Sequence, residues 1–215
     1  MSLIRKNKTD YLYFIHIPRT AGRYINSLFK QNDYELRYDD FTKIDRMTNR
    51  EIPHLHKPHY RRYNVNRAPI FCIVRNPIDR FISAISPHTG SNFYEFNPEE
   101  IFQSQKHLNK YLDNLNNTLT SNWFLPQHCF IDKDTHIWKY EDQFKFNFLN
   151  WLKDKFNITL TIKENAKSHI TYRDLHKRYP LDKKYYPFIK EYYRKDYELF
   201  YPRLIDSLPV LSNST

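Results

Sequence analysis

Glycine is almost missing from this chain: two residues in 215, against twelve prolines. Walker-type and dinucleotide-type phosphate loops need several glycines, for positive φ and for close approach of the backbone to the phosphate, so both are excluded. Cysteine is equally scarce. Cys72 lies in an apolar run and Cys129 beside a Pro-Gln-His turn, a pair without ligand spacing that reads as reduced thiols and not as a disulfide scaffold. Long apolar runs are absent too, none approaching the roughly 18 residues of a membrane span. Met1 to Asp10 is polar and leads to no small-residue cleavage site. The expected protein has no membrane span and sits in the cytoplasm.

Basic and aromatic side chains are what the chain has in plenty. Lys and Arg number 34 against 24 Asp and Glu, a formal charge of +10, and 17% of residues are aromatic. Such a balance favours an anionic partner, whether nucleotide, nucleic acid or acidic polysaccharide. Leu, Ile, Val and Phe make up just over a quarter of the chain, well above the level at which charged sequences stay disordered. With no repeat and no linker rich in Gly, Ser or Pro, one domain over residues 1–215 is expected.

Periodicity sketches its layout. Tyr11 to Ile17 is a β-prone run that stops at Pro18, and Tyr24, Ile25, Leu28 and Phe29 then recur at helical spacing. Pro69 to Val74 repeats the grammar, with Pro77 opening a helix whose Phe81, Ile82 and Ile85 share a face. His136 to Tyr140 reads as a third strand. Helices are expected over Pro98 to Leu119, over Asp142 to Phe156, and as a pair within Tyr172 to Tyr201 broken near Pro180. Strands alternating with helices predict an α/β fold, a mainly parallel sheet covered on both faces.

In such sheets ligands gather outside the carboxyl ends of the strands. The first strand-to-helix turn, His16-Ile17-Pro18-Arg19-Thr20-Ala21-Gly22-Arg23, sets two arginines and a threonine at a helix N-terminus, where backbone N–H groups and the dipole favour an anion. The second turn carries Arg75, Arg80 and Ser83. The string FIHIPRTAGRYI (Phe14 to Ile25) resembles the 5′-phosphosulfate loop of sulfotransferases that use 3′-phosphoadenosine-5′-phosphosulfate (PAPS), a His-x-Pro-Lys-Thr-x-Gly pattern after the first strand. FCIVRNPIDRFISAI (Phe71 to Ile85) is similar to that family's 3′-phosphate motif, Arg-Asp-Pro-x-x-Arg-x-x-Ser. The likeness is nearest to carbohydrate sulfotransferases of the heparan 2-O and bacterial or viral type, and it extends more weakly through Trp138 to Asp142 and Tyr192 to Tyr201.

The resemblance implies a P-loop-like three-layer fold, PAPS as cofactor, 3′-phosphoadenosine-5′-phosphate (PAP) as product, and a glycan or other hydroxyl acceptor, anionic in some members. It puts the family's catalytic lysine on Arg19 and its phosphate-binding threonine on Thr20, within a nucleotide loop of Pro18, Ala21, Gly22, Arg23 and Tyr24. Arginine keeps the charge but cannot give up a proton, and Arg23 and Tyr24 replace the hydroxyl residue usual after the glycine. Arg75 and Ser83 match the residues that hold the 3′-phosphate, Arg80 the second arginine, and Asn76 stands for the family's Asp. Lys167 belongs to the loop that closes over the nucleotide, and His59, Trp123 and Gln127 fall on the acceptor side.

Transfer to a hydroxyl needs a base, and histidine suits the task near neutrality. His54 and His56 share a face if extended, and related glycan enzymes carry a His-Gly-His stretch here; His56 is the first choice and His54 the second. A His-x-His pair with His59 would also suit zinc or iron, but no carboxylate lies within the cluster, and no metal is expected. Two other classes of function stand beside the sulfotransferase reading. One is a basic nucleic-acid-binding module, whose binding would weaken steeply with salt. The other is a catalytically silent nucleotide-binding relative.

Overall fold

The computed structural model describes residues 1–57, 59–63, 68–85, 97–116, 122–142, 146–162 and 181–204. Strand β1 (Ser2–Lys6) turns at Asn7-Lys8 into β2 (Thr9–Ile15), and both turn residues have positive φ, 51° and 65°. This two-residue connection has the twist of an antiparallel hairpin. After helix α1 (Gly22–Gln31) the chain runs to β3 (Glu35–Arg37) and a two-strand ribbon, β4 (Ile44–Asp45) and β5 (Arg50–Glu51). It then re-enters the sheet as β6 (Ile70–Val74). Helix α2 (Pro77–Ile85), α3 (Pro98–Ile101) and α4 (Gln105–Asn116) lead to β7 (Thr135–Lys139). Helices α5 (Phe146–Phe156), α6 (Tyr186–Tyr192) and α7 (Arg194–Phe200) follow.

The five-stranded sheet runs β3-β1-β2-β6-β7. β2, β6 and β7 are parallel, with Phe14 opposite Phe71 and Phe71 opposite His136. β1 is antiparallel to both β2 and β3. The sheet is therefore mixed, not mainly parallel as the alternation of elements implied. A two-residue hairpin can join only antiparallel strands, and the short polar start of the chain hides β1, whose Ser2, Leu3 and Ile4 are buried.

Side-chain alternation divides the core. Tyr13, Ile15, Cys72 and Val74 face α2, α4, α6 and α7 through Phe81, Leu108, Leu112, Ile189 and Tyr197. Leu12, Phe14, Phe71 and Ile73 face α1 and α5 through Ile25, Leu28, Phe29, Phe148 and Leu152. Helices thus cover both faces and make three layers. One helix boundary differs from expectation. The stretch from Pro98 divides at 102–104, where Asn97 caps α3 through a bond from the Glu99 N–H (3.2 Å) and Ser104 accepts from His107 N–H in front of α4. Helices α6 and α7 part at buried Tyr193, and the break expected near Pro180, like Lys167, lies outside the described residues. Among the described residues no helix is long and apolar enough to cross a membrane.

Candidate active site

The three parallel strands end side by side, and the turns after them enclose a cavity of about 370 Å³. The turn after β2 contributes His16, Pro18, Arg19 and Ala21 to Tyr24, that after β6 contributes Arg75 and Ser83, and that after β7 contributes Tyr140. His54, Phe41 and Trp123 complete the wall.

The first turn is strained into shape. Arg19 and Ala21 have φ of 71° and 69°, the left-handed region that costs a non-glycine residue roughly 1–2 kcal/mol. Thr20 between them is fully buried, and its Oγ1 donates to the Ile17 carbonyl (2.8 Å). Alternating signs of φ turn successive N–H groups toward one side, the form of an anion nest. Ala21 offers no side-chain cap to α1 and no acidic residue stands in its first turn, so the helix start carries no internal anion. Gly22 is needed for a different reason. A Cβ there would lie 1.9 Å from His16 Cδ2, so the buried imidazole occupies the space that any side chain would take.

Positive charge converges on this nest. Arg19 donates through Nε (3.1 Å) and Nη2 (2.9 Å) to Ser83 Oγ and lies over the Trp123 ring at 5.1 Å. Arg75 stacks on Tyr140 at 4.5 Å and reaches the Arg19 carbonyl through Nη1 (3.3 Å). Its buried Nε has no hydrogen-bond partner among the described residues, and neither does His16 Nδ1. Arg23 lies over Phe41 at 5.3 Å. Among the described residues no carboxylate lines the cavity. Burial, followed by repulsion from Arg75, Arg23 and Arg80, pushes Arg19 down to about 9. A ligand with several negative charges would relieve that repulsion.

The histidines separate. His54 lines the cavity, packs edge-on against His16 (centroids 4.8 Å apart) and donates from Nδ1 to Glu51 Oε2 (2.7 Å). Burial lowers its pKa against the opposing pull of Glu51, so the ring is neutral at pH 7 with Nε2 as its basic nitrogen. His56 does not line the cavity. Its Nδ1 accepts from Asn122 Nδ2 (3.1 Å), an amide nitrogen oriented by a second bond to the His54 carbonyl (2.8 Å), and its ring meets His59 at 5.1 Å. Neutral His56 therefore carries its proton on Nε2, and burial together with Arg50 and His59 pushes its pKa down to about 4. Of the two candidate bases, only His54 stands on the cavity wall. His59 also stays off the cavity wall, and among the described residues no three His, Cys, Asp or Glu side chains group as a metal site would require.

Comparison of the chain with models of known protein families, with curated proteins and with solved structures gives no match.

Three residues expected to touch ligand are buried and bonded into the frame. Arg80 is 1% exposed and donates to the carbonyls of Pro18 (3.0 Å), Trp123 (2.8 Å) and Leu125 (2.9 Å), fastening the first turn to the Trp123 loop. Thr20 spends its hydroxyl on Ile17. Gln127 is fully buried and grips the Arg75 backbone from both sides, accepting from its N–H (2.9 Å) and donating to its carbonyl (2.9 Å). Gln127 is held in turn by Asp196 on α7, which accepts from the N–H groups of Gln127 (2.7 Å) and His128 (2.9 Å) and from His128 Nδ1 (2.8 Å). Tyr140, Phe41 and Glu51 join the site without having been singled out. Tyr140 could have been found, because it is the last residue of the third expected strand. Phe41 carries no sequence signal.

Proposed function

We propose that the protein is a PAPS-dependent sulfotransferase acting on a hydroxyl of a carbohydrate acceptor. The observation that carries this reading is the meeting of both resembling turns on one cavity, with three arginines, a nest of N–H groups and, among the described residues, no lining carboxylate. The buried, unpartnered Nε of Arg75 fits an anion, and the polyanionic nucleotide suits the mutual repulsion felt at Arg19. PAPS, when bound, would supply the sulfuryl group and leave PAP behind.

Each residue then has a task. Arg19 and the Thr20 to Gly22 N–H groups hold the 5′-phosphate side, where charge builds as the sulfuryl group departs, and preorganised donors in a dry site are worth most there. Arg75 holds the second phosphate. Ser83, already bonded to Arg19, couples the two anion positions. His54 Nε2 accepts the proton of the acceptor hydroxyl, while Glu51 keeps the ring oriented and stabilises the imidazolium that forms. Trp123 and Phe41 offer flat apolar faces to a sugar ring. A silent nucleotide-binding role is the second reading, favoured by the bidentate engagement of Arg19 with Ser83 at the position where the resembling enzymes carry lysine.

Thermal melting with PAP, followed by transfer from labelled PAPS to a panel of oligosaccharides, phenols and lipids, tests the proposal. A raised melting temperature with labelled sugars supports it. A shift without transfer leaves the silent relative, and no shift, with salt-sensitive nucleic-acid binding, overturns both.

A further inference from the structure

The ladders that β6 makes with β2 and β7 stop at Cys72 and Val74, short of Arg75. A side chain takes over from there. Gln127 Oε1 accepts from the Arg75 N–H and Gln127 Nε2 donates to the Arg75 carbonyl, both at 2.9 Å. One residue bonded through its N–H and its C=O to a single partner is the pattern of an antiparallel strand pair, reproduced here by a carboxamide. The next peptide is held as well, because the Asn76 N–H donates to Glu141 Oε1 (2.7 Å) and Glu141 Oε2 accepts from the Tyr201 hydroxyl (2.9 Å). Gln127 is fully buried, and its segment is pinned by Arg80 on the carbonyls of Trp123 and Leu125 and by Asp196 on the N–H groups of Gln127 and His128. The far end of Arg75 is held much less. Among the described residues its guanidinium makes one bond, 3.3 Å to the Arg19 carbonyl, and its buried Nε has no partner.

We infer that Gln127 and Glu141 are positioning residues, which fix the two peptides on either side of the Arg75 Cα and so aim its guanidinium at an anion in the cavity. This rests on the proposed reading that Arg75 holds the second phosphate of the nucleotide. Helix α7 stands behind both arms, through Asp196 and through Tyr201 at its C-cap, and so bears on an anion site that it does not line. Position 127 needs a carboxamide. A carboxylate lacks the donor for the Arg75 carbonyl, asparagine is one methylene short, and methionine keeps the length without either polar group.

The test is a cycle of Q127M, R75M and the double variant, with E141A beside them, each full chain checked for folding by circular dichroism. Two quantities are read: PAP affinity by titration calorimetry, and the Arg75 Nε–H signal in proton–nitrogen correlation spectra, identified by its loss in R75M. Q127M should bind PAP about tenfold more weakly and E141A about threefold, while the double variant should bind as R75M does, since Gln127 acts through that guanidinium. The Nε–H signal should be sharp and slow to exchange with water in the wild type, and broadened or fast in Q127M. A Q127M loss that persists in the R75M background assigns Gln127 to the fold at large and overturns the proposal. Wild-type affinity with an unchanged signal in Q127M and E141A overturns it too. If Q127M does not fold, E141A decides by the same two quantities. A wild type that fails to bind PAP overturns the sulfotransferase reading, and the Nε–H signal then decides the positioning by itself.

Discussion

Arg75 and Arg80 sit five residues apart, and the structure gives them opposite duties that one pair of variants separates. In Arg80→Met a fully buried guanidinium that satisfies three carbonyls is lost. Charged hydrogen bonds contribute roughly 1.5–3 kcal/mol each, and partial access of water to the freed carbonyls brings the net loss to roughly 3–5 kcal/mol. For a domain of this size each kcal/mol moves melting by ~2–4 °C, so Arg80→Met should melt about 6–20 °C lower. Arg75→Met removes one long bond to the Arg19 carbonyl and a stack on Tyr140 worth about 1 kcal/mol. It also removes the charge that most opposes Arg19. The two effects offset to within about 1 kcal/mol, so melting should move by less than ~4 °C. Affinity for PAP, by contrast, should fall about ten- to a hundredfold through loss of a charged contact. Scanning calorimetry gives the first quantity and titration calorimetry the second. If Arg75→Met melts as low as Arg80→Met, its guanidinium is structural. If it binds PAP as the wild type does, the second anion position is misplaced.

Four further outcomes are expected. Arg19→Ala should lose roughly a hundred- to a thousandfold in kcat with a much smaller change in PAP affinity, and Arg19→Lys should stay active; equal losses in rate and affinity would reduce Arg19 to a binding residue. His54→Ala should lower transfer by roughly a hundred- to ten-thousandfold while His56→Ala stays close to wild type, and the acid limb of the pH–rate profile should lie below 6.5, since burial lowers His54; the reverse ranking would restore His56 as base. Gly22→Ala should cost roughly 1–3 kcal/mol of stability, because the new methyl and the His16 ring cannot share the same space, and an unchanged melting temperature would mean that His16 moves freely. Denaturant unfolding should show greatest stability near pH 6.5–7. His16, His54 and His56 are held below 6.5, so acid favours the unfolded chain, which takes up protons first. His128 is raised to about 9, so its contribution is complete below 6.5 and fades between 6.5 and 9. His128→Gln should flatten the alkaline limb alone, and a stability profile flat from pH 5 to 9 would contradict these assignments.

Local pattern carried a good part of the architecture. Apolar runs bounded by proline marked β2 and β6 to within two residues, because a strand buried on both faces must be apolar throughout and a proline interrupts its hydrogen bonding; β7, half exposed at the sheet edge, lies within one residue of the expected His136 to Tyr140. The same logic put the two arginine-bearing turns at strand ends, and the parallel pairing of β2 with β6 brings them to one cavity. Other features escaped it. β1 is too short and too polar on one side to stand out, and its hairpin makes the sheet mixed. The roles of Arg75 and Arg80 follow from which atoms surround each guanidinium, a matter of contacts over 43 to 62 residues of separation that no local spacing encodes. The choice between His54 and His56 is likewise tertiary. Two residues apart in sequence, they differ because Glu51 takes Nδ1–H of one while Asn122 donates to Nδ1 of the other, and a single hydrogen bond decides which nitrogen of a neutral imidazole is free to accept a proton.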